Sequence, residues 1–208
     1  MRVAVLGGTG GFGRALSARL VARGEDDVVI GSRDEGRARD TAATLGGRAS
    51  GATNHEAVRG ADLVVLAVKA DAALQTAAAV AADLGETPLL SVASALTFSA
   101  DGVRADADSR SLAERIQDAV AGPVVAGLHS IAAANLSDGP PDEDAFVCGD
   151  DPHAKELALE LAGKVVGGRA LDAGPLGSAR TLEGLTAVIV NLNRRYKGHA
   201  GVRITGLP

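Results

Sequence analysis

"AVLGGTGGFGRAL", residues 4–16, sets five glycines into an otherwise apolar run. Glycine weakens the interior of a strand or helix, so the cluster needs a cause. Ahead of it, Val3 to Leu6 reads as a buried strand. After it, Gly13 to Arg23 reads as a helix with Ala15, Leu16, Leu20 and Val21 on one side. Gly8-x-Gly10-x-x-Gly13 between a strand and a helix is the setting of a dinucleotide fingerprint. The chain turns sharply there, the backbone meets a pyrophosphate, and the helix packs close to the sheet. Each step favours a residue without Cβ, and the helix N-terminus offers N–H groups and partial positive charge. Gly8, Thr9, Gly10, Gly11, Phe12 and Gly13 are therefore candidate cofactor-binding residues. The alternative is an ordinary tight strand-to-helix turn.

Outward from the loop, short β-branched runs alternate with segments of helical period. Strands are predicted at Val28 to Ile30, Leu63 to Val68, Leu89 to Val92, Val124 to Leu128 and Phe146 to Cys148. Helices are predicted at Glu35 to Leu45, Ala72 to Leu84, Ser111 to Val120, Pro152 to Leu161 and Leu182 to Asn193. Ala100 to Arg110, polar and rich in Asp, reads as a loop, as does "SDGPPDED" at 137–144. This alternation predicts α/β architecture: a Rossmann-type doubly wound, mainly parallel sheet with a smaller C-terminal lobe. The expected division is a dinucleotide-binding domain over 1–123 and a lobe over 124–208 that shares its sheet and completes a substrate cleft and a dimer interface.

The second predicted strand ends in "VVIGSRDEGR", residues 28–37. An NAD site places Asp or Glu there for the ribose 2′-OH. Here stand Ser32 and Arg33, with Arg37 a turn further on. A hydroxyl and two guanidiniums suit a 2′-phosphate, because Arg binds phosphate as a planar fork. NADP is favoured over NAD. The competing reading makes Arg33 and Arg37 a solvated helix face with Asp34 and Glu35.

Composition removes other classes. Aromatics are 2% of the chain and Trp is absent, against a base-stacking nucleic-acid surface. The net charge of −5 argues against a general phosphate-binding face. One cysteine and four scattered His leave no metal-ligand spacing. The Ala-rich run from Ala70 to Leu84 carries Asp71, Gln75 and Asp83, so it is no membrane span. A cytoplasmic protein is expected. A Tyr-x-x-x-Lys catalytic pair is missing, because the single tyrosine, Tyr196, is followed four places on by Ala200. Cys148 reads as a small buried hydrophobe. Asp150 and Asp151 read as helix caps before Pro152, and Arg180 with Glu183 as a same-face helix pair.

Several stretches together resemble the NADPH-dependent coenzyme F420 reductase family. They are "MRVAVLGGTGGFG" at 1–13, "VVIGSR" at 28–33, "GLHSIAAA" at 127–134, "VCGDD" at 147–151, "LDAGPL" at 171–176 and "RTLEGLTAVIVNLNRR" at 180–195. They keep the family's order along nearly the whole chain. The resemblance implies a two-lobed Rossmann protein, a homodimer, that passes a hydride between NADP and a deazaflavin. It implies that Thr9 to Gly13 hold the pyrophosphate, and that Thr9, Ser32, Arg33 and Arg37 surround the 2′-phosphate. It implies further that His129 and Ile131 border coenzyme F420. Val68, Lys69, Ser94, Ala95 and Ala132 complete the candidate cofactor-binding set, with Ala133 and Ala134 as small residues beside stacked rings. Helix packing is the alternative use of these alanines. His129 is the candidate catalytic residue, as a donor to a ring carbonyl or phosphate; a structural histidine is the alternative. Where the family often carries proline, this chain has Lys69 and Ala132, and "ASALTFSADG" at 93–102 also departs from it. The competing function is a non-catalytic NADP-binding sensor or interaction protein, or a reductase of a different second substrate.

Overall fold

The protein is described by a computed structural model covering residues 1–24 and 26–207. The apolar runs form strands, and the helical segments between them cross over to make the pairing parallel. The order begins β1 (Arg2–Leu6), α1 (Gly11–Arg23), β2 (Asp27–Ser32), α2 (Glu35–Leu45), β3 (Ala49–Thr53) and α3 (Asn54–Ala57). It continues with β4 (Leu63–Leu66), α4 (Ala70–Leu84), β5 (Leu89–Ser91), β6 (Leu96–Ser99), β7 (Gly102–Ala105) and α5 (Leu112–Gln117). The rest is β8 (Val124–Gly127), α6 (Ala133–Ser137), β9 (Ala145–Gly149), α7 (Pro152–Val165), β10 (Ala170–Asp172) and α8 (Ala179–Tyr196).

Eight strands make one sheet in the order β10-β9-β8-β5-β4-β1-β2-β3. All its neighbours are parallel except β8 and β9. The sheet continues across Pro123, because β5 pairs with β8. The inner strands β1, β2, β4, β5 and β8 are apolar on both faces, as buried parallel strands must be. Val3 and Val5 point into a core closed by α1, α2, α6 and α7. Ala4 and Leu6 point into the opposite core, closed by α3, α4, α5 and the start of α8. The strand order reverses at β1, which lies between β4 and β2. Ligands of such sheets bind at this switch, beyond the carboxyl ends of the strands.

Several expectations need correction. Ala100 to Arg110 is not wholly loop: Gly102–Ala105 pairs antiparallel with Leu96–Ser99 as a hairpin, Ser99 facing Gly102. β4 stops at Leu66, so Val68 lies beyond the strand and Lys69 caps α4 with extended backbone. Arg180 and Glu183 do not pair. The Arg180 guanidinium donates to the Asp106 carbonyl, and Glu183 accepts from Leu112 N at 2.7 Å. Asp151 caps α7 through Ala154 N, whereas Asp150 accepts from Leu176 N at 3.0 Å. Cys148 is fully buried, and burial pushes its thiol up to about 12, which suits a packing role.

Candidate functional site

The glycines divide into those the fold requires and those it leaves open. Gly7 turns the chain out of β1 at φ +82°, where an L side chain is strained, and a Cβ there would lie 2.5 Å from the Ala67 carbonyl. A Cβ on Gly13 would lie 2.5 Å from the Gly7 carbonyl and 2.9 Å from Gly8 Cα. The absent side chains thus bring α1 down onto the turn. Gly11, the first residue of α1, has nothing within 4 Å of where its Cβ would stand. Gly10 caps the helix without a side chain, and no acidic residue occupies the first turn. The loop therefore presents free N–H groups and the positive end of α1 at the switch point. Such a cradle fits a pyrophosphate.

At the end of β2, Ser32 is nearly buried, while Arg33 and Arg37 are exposed. Ser32 Oγ accepts from Asp34 N at 3.1 Å, which leaves its hydroxyl proton to donate outward. The carboxylates nearby are engaged elsewhere. Asp34 caps α2 through Arg37 N at 3.1 Å, and Glu35 pairs with Arg39 at 2.5 Å. Among the described residues neither Arg33 nor Arg37 has a carboxylate partner. The solvated-face reading therefore loses its carboxylates. A cavity of about 400 Å³ opens beside Ser32 and Arg33, walled across by Thr53, His55, Gln75 and Thr76. The sequence reading missed this wall. It exists because β3 pairs with β2 and sets Thr53 opposite Ser32.

The remaining candidates stand at the carboxyl ends of β4, β5 and β8. Lys69 is exposed and Val68 half-buried. Ala95 is buried, and Ser94 Oγ lies 3.0 Å from Thr186 Oγ1 on α8. Thr186 Oγ1 also donates to the His129 carbonyl at 2.9 Å. The backbone of Ala95 and Leu112 holds the buried Glu183 carboxylate, whose protonation burial favours. One face of α8 thus ties the β5 and β8 loops together. Thr186 and Glu183 were not among the candidates read from the sequence, although two polar residues three apart inside an apolar helix were a signal.

After β8 the chain turns through Leu128 at φ +62°, a left-handed conformation that costs a non-glycine residue of order 1 kcal/mol. The Ile131 N–H donates to the Leu128 carbonyl at 3.0 Å and closes the turn. His129 and Ser130 are held there with 7% and 3% exposure. Among the described residues neither His129 ring nitrogen nor Ser130 Oγ has a hydrogen-bond partner. Burial pushes the imidazole down to about 4, offset only in part by the Ala93 backbone. At neutral pH the ring is uncharged, with one donor and one acceptor. Buried polar atoms without partners call for a ligand or ordered water. Ile131 is buried beside them, and Ala132 is the half-buried residue that opens α6. These unpartnered groups fit a heterocycle bearing both donors and acceptors.

The chain matches the family described as NADP oxidoreductase coenzyme F420-dependent over residues 2–95. It is 34% identical to the F420-dependent NADP reductase of Methanothermobacter marburgensis, each chain being covered in full. It is 36% identical to the protein of that name from Methanothermobacter thermautotrophicus, with all of this chain and 96% of the relative covered. A crystal structure from Arthrobacter sp. FB24, presented as a candidate F420-dependent NADP reductase, superposes with a TM-score of 0.82 at 27% identity. That match covers 99% of this chain and all of the other.

Proposed function

We propose hydride transfer between NADP(H) and coenzyme F420 for this chain, which belongs to the F420-dependent NADP reductase family. The observation that carries the reading is the cradle at the switch point beside two unpaired arginines, on a chain related end to end to such reductases. When bound, the nicotinamide and the deazaflavin supply the hydride donor and acceptor themselves. The protein's work is binding, orientation and exclusion of water. Gly8 to Gly13 hold the pyrophosphate. Thr9, Ser32, Arg33 and Arg37 read the 2′-phosphate. Val68, Ser94, Ala95, Ile131 and Ala132 wall the ring site with small and apolar groups. His129, uncharged and unpartnered, offers one donor to a ring carbonyl. The 124–208 lobe completes the cleft through α8 and the turn at Leu128. The cytoplasm is the expected compartment, as a free, fully buried Cys148 accords with reducing surroundings; no helix among the described residues is long and apolar enough to cross a membrane. Mixing the protein with NADPH and oxidised F420 bleaches the deazaflavin's visible absorbance. No bleaching, with NADP still bound, favours the sensor reading.

Lys69 serves the deazaflavin end. It stands exposed at the sheet's carboxyl edge, and F420 is an anion approaching an acidic protein. Lys69→Ala raises KM for F420 about two- to fivefold, the range of an exposed charge contact, and added salt shrinks the effect. KM for NADPH stays unchanged. A change in KM for NADPH instead assigns Lys69 to the nucleotide.

The homodimer belongs to the same reading. α8 buries Leu182, Ala187 and Ile189, yet leaves Val188 53%, Leu192 42% and Tyr196 73% exposed. Asn191 fastens the hairpin to α8 through both backbone groups of Val103 at 2.8 Å. The hairpin adds Phe98, 60% exposed, under the Arg194 guanidinium. Exposed large apolar side chains grouped on α8 and the hairpin tied to it are the mark of an interaction site. Sedimentation at micromolar concentration gives a dimer, and Val188→Asp gives a monomer; a wild-type monomer removes this assignment.

A further inference from the structure

A polar cavity of about 400 Å³ lies beside Ser32 and Arg33. In a protein of net charge −5, none of the described residues lining it carries a carboxylate. Its polar wall is Ser32, Arg33, Thr53, Asn54, His55, Gln75 and Thr76. Thr53 is occupied, since its hydroxyl and N–H both meet the Glu56 carboxylate, at 2.8 and 3.2 Å, in the capping box that starts α3. Glu56 is thereby committed to the helix start.

His55 is held from behind. Its Nδ1 lies 2.8 Å from Asp83 Oδ2 on α4. The other carboxylate oxygen takes two donors from Arg59, at 3.0 and 2.6 Å. The two partners hold the Asp83 carboxyl below its ordinary range, His55 contributing most. The carboxylate accepts from Nδ1–H, so the ring is oriented and Nε2 is its remaining polar atom. Among the described residues Nε2 has no partner.

We propose that His55, oriented by Asp83, is a third group reading the 2′-phosphate and so helps to set the preference for NADP over NAD. This rests on the assignment of Ser32 and Arg33 to that phosphate. In this arrangement Nδ1–H stays on Asp83 and Nε2 is left for the phosphate. Arg33 then reaches the phosphate from the β2 side and His55 from the α3 side. Arg59 balances Asp83 and keeps its charge from opposing the phosphate. His55 contacts the ligand, whereas Asp83 is a positioning residue.

Calorimetric titration of the intact protein with 2′,5′-ADP and with 5′-AMP isolates the phosphate from the hydride chemistry. His55→Ala weakens 2′,5′-ADP about five- to tenfold and leaves 5′-AMP within about twofold. His55→Lys restores most of the loss, because it sets a charged donor at the same wall. Asp83→Asn gives a smaller loss confined to 2′,5′-ADP. Equal losses for both nucleotides place His55 on the purine or ribose and overturn the proposal. No loss for either makes the His55–Asp83 pair a surface contact and also overturns it. If the wild type binds the two equally, the 2′-phosphate assignment fails first. If Arg33→Ala abolishes the preference while His55→Ala leaves it intact, only the role of His55 fails.

Discussion

Arg33→Ala weakens NADPH binding about ten- to a hundredfold and leaves NADH binding within about twofold. A hydrogen bond to a charged group contributes about 1.5–3 kcal/mol, which gives that range directly. The effect is selective because only NADPH carries the 2′-phosphate. The structure sharpens the expectation. Asp34 is spent on the cap of α2 and Glu35 on Arg39, so the guanidinium of Arg33 needs no freeing from an ion pair before it binds. Arg37 and Ser32 remain in the variant, which keeps the loss finite. Arg33→Lys recovers charge without the planar fork and so restores only part of the affinity. Equal losses for both nucleotides assign Arg33 to the adenosine they share.

What the sequence revealed follows from how its parts are buried. β1, β2, β4, β5 and β8 lie inside a two-faced core and so read as unbroken apolar runs. β3 escaped because Ala-Ser-Gly-Ala-Thr has no such run. Its composition answers α2, not the sheet: a Cβ on Gly51 would stand 2.3 Å from the backbone of Ala38. The hairpin escaped because the acidic residues around it resemble a solvated loop. Ser32, Arg33 and Arg37 were legible because they are close in the chain. His55 was not, since its place beside them is created by the pairing of Ser32 with Thr53. The link from α8 to the β5 and β8 loops was hidden likewise: Thr186 meets His129 across 57 positions of sequence.

Gly13→Ala and Gly11→Ala, compared, separate the glycine that builds the cradle from the one that admits the ligand. In Gly13→Ala the new methyl meets backbone, the Gly7 carbonyl at 2.5 Å and Gly8 Cα at 2.9 Å, and neither is the end of a flexible side chain. The helix must lift from the turn. Overpacking of this kind costs about 1–3 kcal/mol or more, and α1 carries Ala15, Leu16 and Leu20 of the core with it. Gly13→Ala therefore lowers the melting temperature and also removes most NADP binding, about a hundredfold or beyond. Gly11→Ala meets nothing in the protein. Its backbone is already helical, so the substitution leaves stability unchanged or raises it by about 0.4–1 kcal/mol. Yet the same methyl projects at the mouth of the cradle, where a pyrophosphate must touch the N–H groups of the first turn. Gly11→Ala then weakens NADP and NAD alike, in a protein that melts no earlier than wild type. That combination has no purely structural explanation. If Gly11→Ala binds both nucleotides as wild type does, the pyrophosphate does not cross the start of α1, and the reading of Gly8 to Gly13 as one phosphate cradle is wrong.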